Sequence, residues 1–285
     1  MSTPPRSETR KSASAESLRE HRTTVRSLRA RKRRGERFTM LTAYDYPFAR
    51  IFDEVGIDVL LVGDSLGNVV QGLDNTLPVT LDEMVYHTRI VARAARRALV
   101  VGDMPFGSYQ VSAEDALRSA LRLVKEGGAH AVKLEGGVSV AGTIRRIVGA
   151  EIPVMGHVGL TPQAIHRMGG YRVQGRGQAE RSRVLDDAQA VEEAGAFAVV
   201  LEGMPADLAR EITEHLGIPT IGIGAGVGCD GQVLVMHDML GLSDGFAPSF
   251  VKQYASLGPL VAQAARSFAD DVANAKFPGP EHSYR

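Results

Sequence analysis

One rhythm constrains this chain more than anything else in its sequence. Short runs rich in apolar and β-branched residues recur at FTMLTAYD (38–45), VLLVGD (59–64), LVVGD (99–103), AVKLE (131–135), PVMGHVG (153–159), FAVVLE (197–202), TIGIGAG (220–226) and VLVMHD (233–238). Most intervals between them carry helical patterns. PFARIFDEVG places Phe48, Ile51, Phe52 and Val55 on one face. SAEDALRSALRLVKEGG opens on Ser112 as an N-cap and closes on Gly127–Gly128. PADLAREITEHLG starts with Pro205 near its first turn and stops at Gly217. Strand and helix in alternation imply parallel strands joined by crossovers, and strands covered on both faces read as unbroken apolar runs, as these do. Eight such units predict an α/β chain folded as a closed (β/α)8 TIM barrel, whose usual length of about 250 residues suits the 285 present. The eighth unit is irregular, because GVGCDGQ (226–232) is too short for a normal helix. TVRSLRARKRRGE (24–36) is expected to form an N-terminal helix. FVKQYASLGPLVAQAARSFADDVANA (250–275) is expected to form a long C-terminal helix covering the barrel.

Residues 1–24 are rich in Ser, Thr, Arg and Pro and poor in large apolar side chains, so they read as a disordered basic tail. Residues 25–285 then form one catalytic domain. Charge is uneven although the formal net is +0: residues 1–37 hold 12 of the 33 Lys and Arg and 4 of the 33 Asp and Glu. The RARKRR patch would suit nucleic acid, but no aromatic residue interleaves with it, so a solvated helix face is expected and no nucleic-acid partner. The single cysteine, Cys229, excludes an intramolecular disulfide. No apolar run approaches the roughly 20 residues a membrane span needs, and the N-terminus lacks the apolar stretch of a secretory signal. A cytoplasmic protein without a membrane partner is expected.

Four of the apolar runs end in an acid: Asp64, Asp103, Glu135 and Glu202. In a barrel these positions fall at the C-terminal mouth, where active sites are built. One such acid could simply cap the next helix. Four together repel one another unless a positive charge joins them, and all-oxygen ligation favours Mg²⁺ or Mn²⁺. Asp64, Asp103 and Glu135 come from consecutive strands, with Glu202 two strands further round. Lys133 lies two residues before Glu135, so both side chains point to the same side, where the lysine meets either a metal ligand or a substrate carboxylate. His157 either donates a hydrogen bond into the site or is a structural strand histidine. GIGAGVG (222–228) does not fit the dinucleotide pattern and reads as a tight turn. GGYRVQGRG (169–177) can carry Tyr171, Arg172 and Arg176 inward as a mobile lid.

VGDSLGNVVQGLDNTLPVT, GDMPFGSY, AVKLEGG, GHVGLTPQ, GGYRVQGRG, LEGMP, IPTIGIGAG and CDGQVLVMHDMLGL, in that order, resemble the ketopantoate (3-methyl-2-oxobutanoate) hydroxymethyltransferase family from about residue 38 to about 254. The resemblance implies Mg²⁺ held by Asp64, Asp103 and Glu135, and a 2-oxo acid held by Asp64, Ser65, Asp103 and Lys133. It also implies Glu202 as the catalytic acid/base; His157, from its place at the end of the fifth strand, is expected beside the substrate. The implied reaction carries a hydroxymethyl group from 5,10-methylenetetrahydrofolate to 3-methyl-2-oxobutanoate through an enolate, toward pantothenate. The folate-binding residues are not implied, and a homo-oligomer, often a decamer, is. Two departures, LEGMP for the usual LEC-x-P and Val138 for the acid often found after LEGG, touch none of these roles. The runner-up is a Mg²⁺-dependent C–C lyase of the isocitrate lyase/phosphoenolpyruvate mutase type, disfavoured because the only cysteine sits in GCDGQ. A non-catalytic barrel with a nucleic-acid-binding arm would have no need of the acids.

Overall fold

The computed structural model describes residues 22–170, 172–243 and 248–284, which fall into two compact units divided after Leu234. The first is a closed barrel of eight parallel strands in sequence order. Helix α1 (Val25–Arg34) precedes β1 (Phe38–Thr42), and α2 (Tyr46–Glu54) leads to β2 (Val59–Val62). Two helices, α3 (Leu66–Val69) and α4 (Leu81–Ala94), precede β3 (Leu99–Asp103). Next come α5 (Ala113–Lys125), β4 (Ala131–Lys133), α6 (Ala141–Val148), β5 (Val154–Gly159), α7 (Ile165–Met168) and α8 (Gln178–Glu193). The circuit finishes with β6 (Ala198–Glu202), α9 (Ala206–His215), β7 (Thr220–Ile223) and β8 (Gly231–Leu234), which pairs with β1. As expected, no helix separates β7 from β8.

Alternate residues of each strand point inward. Met40, Val59, Leu61, Leu99, Val101, Ala131, Met155, Val200, Ile221 and Val233 fill the barrel as one buried cluster. Leu28 of α1, fully buried, belongs to the same cluster together with Phe38. The basic helix is therefore a plug at the N-terminal end of the barrel. Its cations hold it there: Arg31 pairs with Asp58 at 2.9 Å, Lys32 with Asp230 at 2.9 Å, and Arg29 donates to the Ala196 carbonyl. This seating explains part of the basic patch without any polyanionic partner. Thr24 caps α1 in a capping box with Ser27, and Thr23 is already buried. Residues 22–24 are thus already part of the described chain ahead of α1, and residues 1–21 of the expected tail lie outside the described residues.

Ser112 caps α5 as expected, and the helix ends just before Gly127 and Gly128. Three expectations need correction. Helix α2 buries Ala49, Phe52 and Asp53, while Ile51 and Val55 are exposed. The reason is that the Asp53 carboxylate accepts the backbone N–H groups of Arg96, Arg97 and Ala98, which turns that edge inward. The eighth strand is Gly231–Leu234 rather than 233–238, because Gly231 pairs with both Ile221 and Phe38 while Met236 already starts helix α10 (Met236–Leu240). In the second unit the long helix α11 is Leu257–Ala273 instead of 250–275. Pro259 is tolerated in its first turn, where no N–H is needed, but would break a helix that began at 250. None of the residues of α11 is buried.

If the plug is a structural part of the barrel, Leu28→Ala leaves a cavity in the central cluster. It is expected to lower unfolding free energy by about 2–5 kcal/mol, read by urea denaturation. A change below about 0.5 kcal/mol would show that α1 does not share the core.

Candidate active site

The inward series of each strand ends in polar groups at the C-terminal mouth. Asp103 follows Leu99 and Val101, Lys133 follows Ala131, His157 follows Met155, and Glu202 follows Ala198 and Val200, each at the same parity. Asp103 lies in register with Lys133, and Glu202 with Gly159. Glu135 continues the Lys133 parity just beyond β4, and Asp64 sits one turn beyond β2 behind Gly63. Asp64, Asp103, Lys133, Glu135 and His157 are all at most 5% exposed, whereas the Glu202 side chain keeps 15%.

Lys133 Nζ donates to both oxygens of Asp103, at 2.9 and 2.8 Å, and lies 3.8 Å from Glu135. Burial pushes the lysine pKa down, but the carboxylates of Asp103, Glu135 and Asp64 outweigh it and the net shift is upward. Burial also pushes Asp103 up, against the pull of Lys133. The short two-pronged contact decides for an ammonium–carboxylate pair, and removing one partner of such a pair costs about 3–5 kcal/mol. Asp64 lacks a cation in direct contact. Burial and the charges of Asp103 and Glu135 raise its pKa to about 8.

His157 lies between two acids. Its Nδ1 is 3.4 Å from Glu135 and its Nε2 is 3.1 Å from Glu202, neither aligned as a hydrogen bond. Burial and the Lys133 ammonium push the imidazole pKa down, but the two carboxylates overcome them and raise it to about 9. Burial pushes Glu135 up, yet His157, Lys133 and the Gln163 N–H bring it below the ordinary carboxylate range. The two nearby carboxylates thus favour the imidazolium form of His157, which lies between Glu135 and Glu202.

The sequence reading missed two residues. Gln163, buried in the loop after β5, donates its side-chain amide to Asp64 at 2.9 Å and to the Met104 carbonyl at 3.0 Å. Its backbone N–H donates to Glu135 at 3.0 Å. The buried Tyr109 hydroxyl donates to the Gln163 carbonyl oxygen at 2.6 Å. These two side chains fix Asp64 and Glu135 relative to one another. The only signal was their presence in GHVGLTPQ and GDMPFGSY. Ser65 stands beside Asp64 with its hydroxyl 2.8 Å from that of Tyr44. Arg172 lines a cavity outside the mouth, Arg176 is exposed, and Tyr171 lies outside the described residues. Cys229 is buried just before β8, its carbonyl held by Arg37, at the end of the barrel opposite the acids.

Among the described residues, no three His, Cys, Asp or Glu side chains stand close enough to form a ready metal cage. Mg²⁺ does not require one, since it keeps several waters and takes one or two carboxylates together with substrate oxygens. An all-oxygen set in which the buried Asp64 has no cation in direct contact fits that ion.

A model of the ketopantoate hydroxymethyltransferase family matches residues 22–280. The chain is 60% identical over 261 residues to a 3-methyl-2-oxobutanoate hydroxymethyltransferase of Geobacter metallireducens, covering 92% of this chain and 98% of the relative. It is 59% identical over 264 residues to one of Moorella thermoacetica, covering 93% and 98%. Among solved structures, a phosphonopyruvate hydrolase in complex with oxalate and Mg²⁺ superposes with a TM-score of 0.60 at 14% identity, covering 91% of this chain and 93% of that one. A 2,3-dimethylmalate lyase of the phosphoenolpyruvate mutase/isocitrate lyase superfamily gives 0.59 at 19% identity, covering 91% and 92%. At these identities the likeness is one of fold.

Two expectations follow for the metal-free protein. By NMR the His157 ring should titrate near 9 rather than at the 6.5 of a free imidazole. Its raised pKa stabilises the fold fully below about pH 6.5, and that contribution is lost as pH rises through about 9. Glu135→Gln should bring the midpoint down; an unchanged midpoint would refute the pairing. Gln163→Leu should cost about 10–100-fold in divalent-metal affinity or turnover, read by Mn²⁺ titration and steady-state rates.

Proposed function

The chain belongs to the ketopantoate hydroxymethyltransferase family, and we propose that the acids at its barrel mouth divide the work of that reaction. The enzyme transfers a hydroxymethyl group to 3-methyl-2-oxobutanoate, giving 2-dehydropantoate, a step of pantothenate biosynthesis. The observation that carries the assignment of roles is the buried array of Asp64, Asp103, Lys133, Glu135 and His157, with the more exposed Glu202 at its edge.

In this reading Asp64, Asp103 and Glu135 would hold Mg²⁺ between them, directly or through its waters, and Asp64, Ser65, Asp103, Lys133 and His157 would surround the 2-oxo acid. Bound Mg²⁺ would supply Lewis acidity at the 2-oxo group. Lys133 is buried and charged, so a substrate carboxylate entering the mouth gains an ammonium partner without exposing it to water. Removal of the C3 proton leaves an enolate, which attacks the one-carbon unit of 5,10-methylenetetrahydrofolate. One water is consumed overall as tetrahydrofolate leaves and the hydroxymethyl group remains. Glu202 moves protons on the folate side. Its partial exposure suits that role, because a proton carrier has to exchange with solvent, whereas the other acids are sealed off. His157 stands between Glu202 and Glu135 and keeps the two carboxylates from repelling each other.

A cysteine-dependent lyase is disfavoured, since the single cysteine lies at the opposite end of the barrel. The family resemblance also supports a cytoplasmic homo-oligomer, decameric in size, which sedimentation velocity would test.

With Mg²⁺ and 3-methyl-2-oxobutanoate in D₂O, the C3 proton should exchange without folate, and Asp103→Asn should abolish that exchange. Glu202→Gln should lower ketopantoate formation by about 10²–10⁴-fold with little change in KM for the oxo acid. A Glu202→Gln enzyme with wild-type turnover would remove Glu202 from the mechanism.

A further inference from the structure

Each of the three carboxylates assigned to the metal already has an oxygen engaged. Both oxygens of Asp103 accept from Lys133 Nζ, at 2.9 and 2.8 Å. Glu135 Oε2 accepts the Gln163 backbone N–H at 3.0 Å, and Asp64 Oδ2 accepts the Gln163 side-chain amide at 2.9 Å. Asp64 Oδ1 takes no hydrogen bond among the described residues. None of the three can close on a cation with both oxygens unless it gives up a bond inside a sealed site, where a donor left unpaired is costly.

Two of these commitments run through Gln163, and its amide can point only one way. The nitrogen end faces two acceptors, the Asp64 carboxylate and the Met104 carbonyl, the latter at 3.0 Å. The oxygen end takes the Tyr109 hydroxyl at 2.6 Å and, more distantly, the Gln110 amide at 3.4 Å. Gln110 is itself oriented, because its side-chain oxygen accepts the N–H groups of Gly107 at 2.7 Å and Tyr109 at 3.3 Å. Its NH₂ group is thereby turned toward Gln163. The Tyr109 oxygen in turn accepts the Glu135 N–H at 3.2 Å. Both N–H groups and both lone pairs of the Gln163 amide are thus used. Gln163 and Tyr109 are buried, and a satisfied buried network of this kind holds one arrangement.

We propose that Gln163, clamped by Tyr109 and Gln110, sets the cation selectivity of the mouth by keeping Asp64 and Glu135 to one available oxygen each. The inference rests on the reading of these acids as the Mg²⁺ site and adds to it a reason why a larger dication is refused. Ca²⁺ gathers roughly six to eight oxygens at about 2.3–2.6 Å and often takes both oxygens of a carboxylate. Mg²⁺ needs about six at about 2.0–2.1 Å and is content with single oxygens and waters. Gln163, Tyr109 and Gln110 are positioning residues in this scheme, acting through Asp64 and Glu135.

The test follows Mn²⁺ bound to the full-length protein by electron paramagnetic resonance, with and without 3-methyl-2-oxobutanoate, and displaces it with Mg²⁺ or Ca²⁺. For wild type, Ca²⁺ should be needed at a concentration about 10-fold or more above that of Mg²⁺. Gln163→Leu should abolish or reverse that preference, because Mg²⁺ binding weakens by about 10–100-fold while Ca²⁺ binding does not. Tyr109→Phe keeps the ring but removes the clamp, and it should shift the preference by about 3-fold or more in the same direction. Gln110→Leu, at an exposed position, should give a smaller shift of the same sign and carries the test if Tyr109→Phe does not fold. A wild type that takes Ca²⁺ as readily as Mg²⁺, or variants in which both affinities fall in parallel, would overturn the selectivity role while leaving the metal site intact. A wild type that binds no Mn²⁺ in either condition would instead overturn the reading of the acids as a metal site.

Discussion

The ion pair between Lys133 and Asp103 sets the terms for the rest of the mouth. Three carboxylates from neighbouring strands are sealed from water, where an unpaired charge costs several kcal/mol. One ammonium neutralises Asp103, and one imidazolium shields Glu135 from Glu202. Asp64 is left with a hydrogen bond from Gln163 and no cation in contact. The cluster is therefore short of positive charge by design of its strand ends. In the proposed reading that shortage suits a hard dication.

Much of this arrangement could be read from residue parity. A strand whose inward residues are Leu99 and Val101 has to aim Asp103 inward, and the same count places Lys133, His157 and Glu202. Gln163 and Tyr109 escaped because no periodicity points to a loop residue. Gln163 reaches a partner 99 positions away, a contact that exists only once the barrel is closed. The misplaced face of α2 failed for a related reason. Apolar spacing favoured Ile51 and Val55, but the three backbone N–H groups of 96–98 needed the Asp53 carboxylate, and that demand rotated the helix. Helix α11 starts at Leu257 and not at 250, because Pro259 suits a first turn and not a helix interior.

The same barrel geometry serves lyases, hydrolases and mutases of low sequence identity to this chain. In this chain the reactive side chains and the packing residues stand at opposite ends of the barrel. The acids crowd the mouth, and the lone thiol is sunk at the far end. Chemistry at one end and packing at the other share a scaffold without sharing residues.

The seating of α1 also orders events in time. The helix is the first described element to leave the ribosome, yet Lys32 closes on Asp230, 198 residues later, and Arg37 on the Cys229 carbonyl. Strand β1 likewise waits for β8. Until the last strand is made, the growing chain carries two open parallel edges and an unseated plug, the kind of long-range closure that slows folding and exposes strands to other chains. A barrel built this way cannot mature piecemeal, and the N-terminal helix acts as the latch that records its completion.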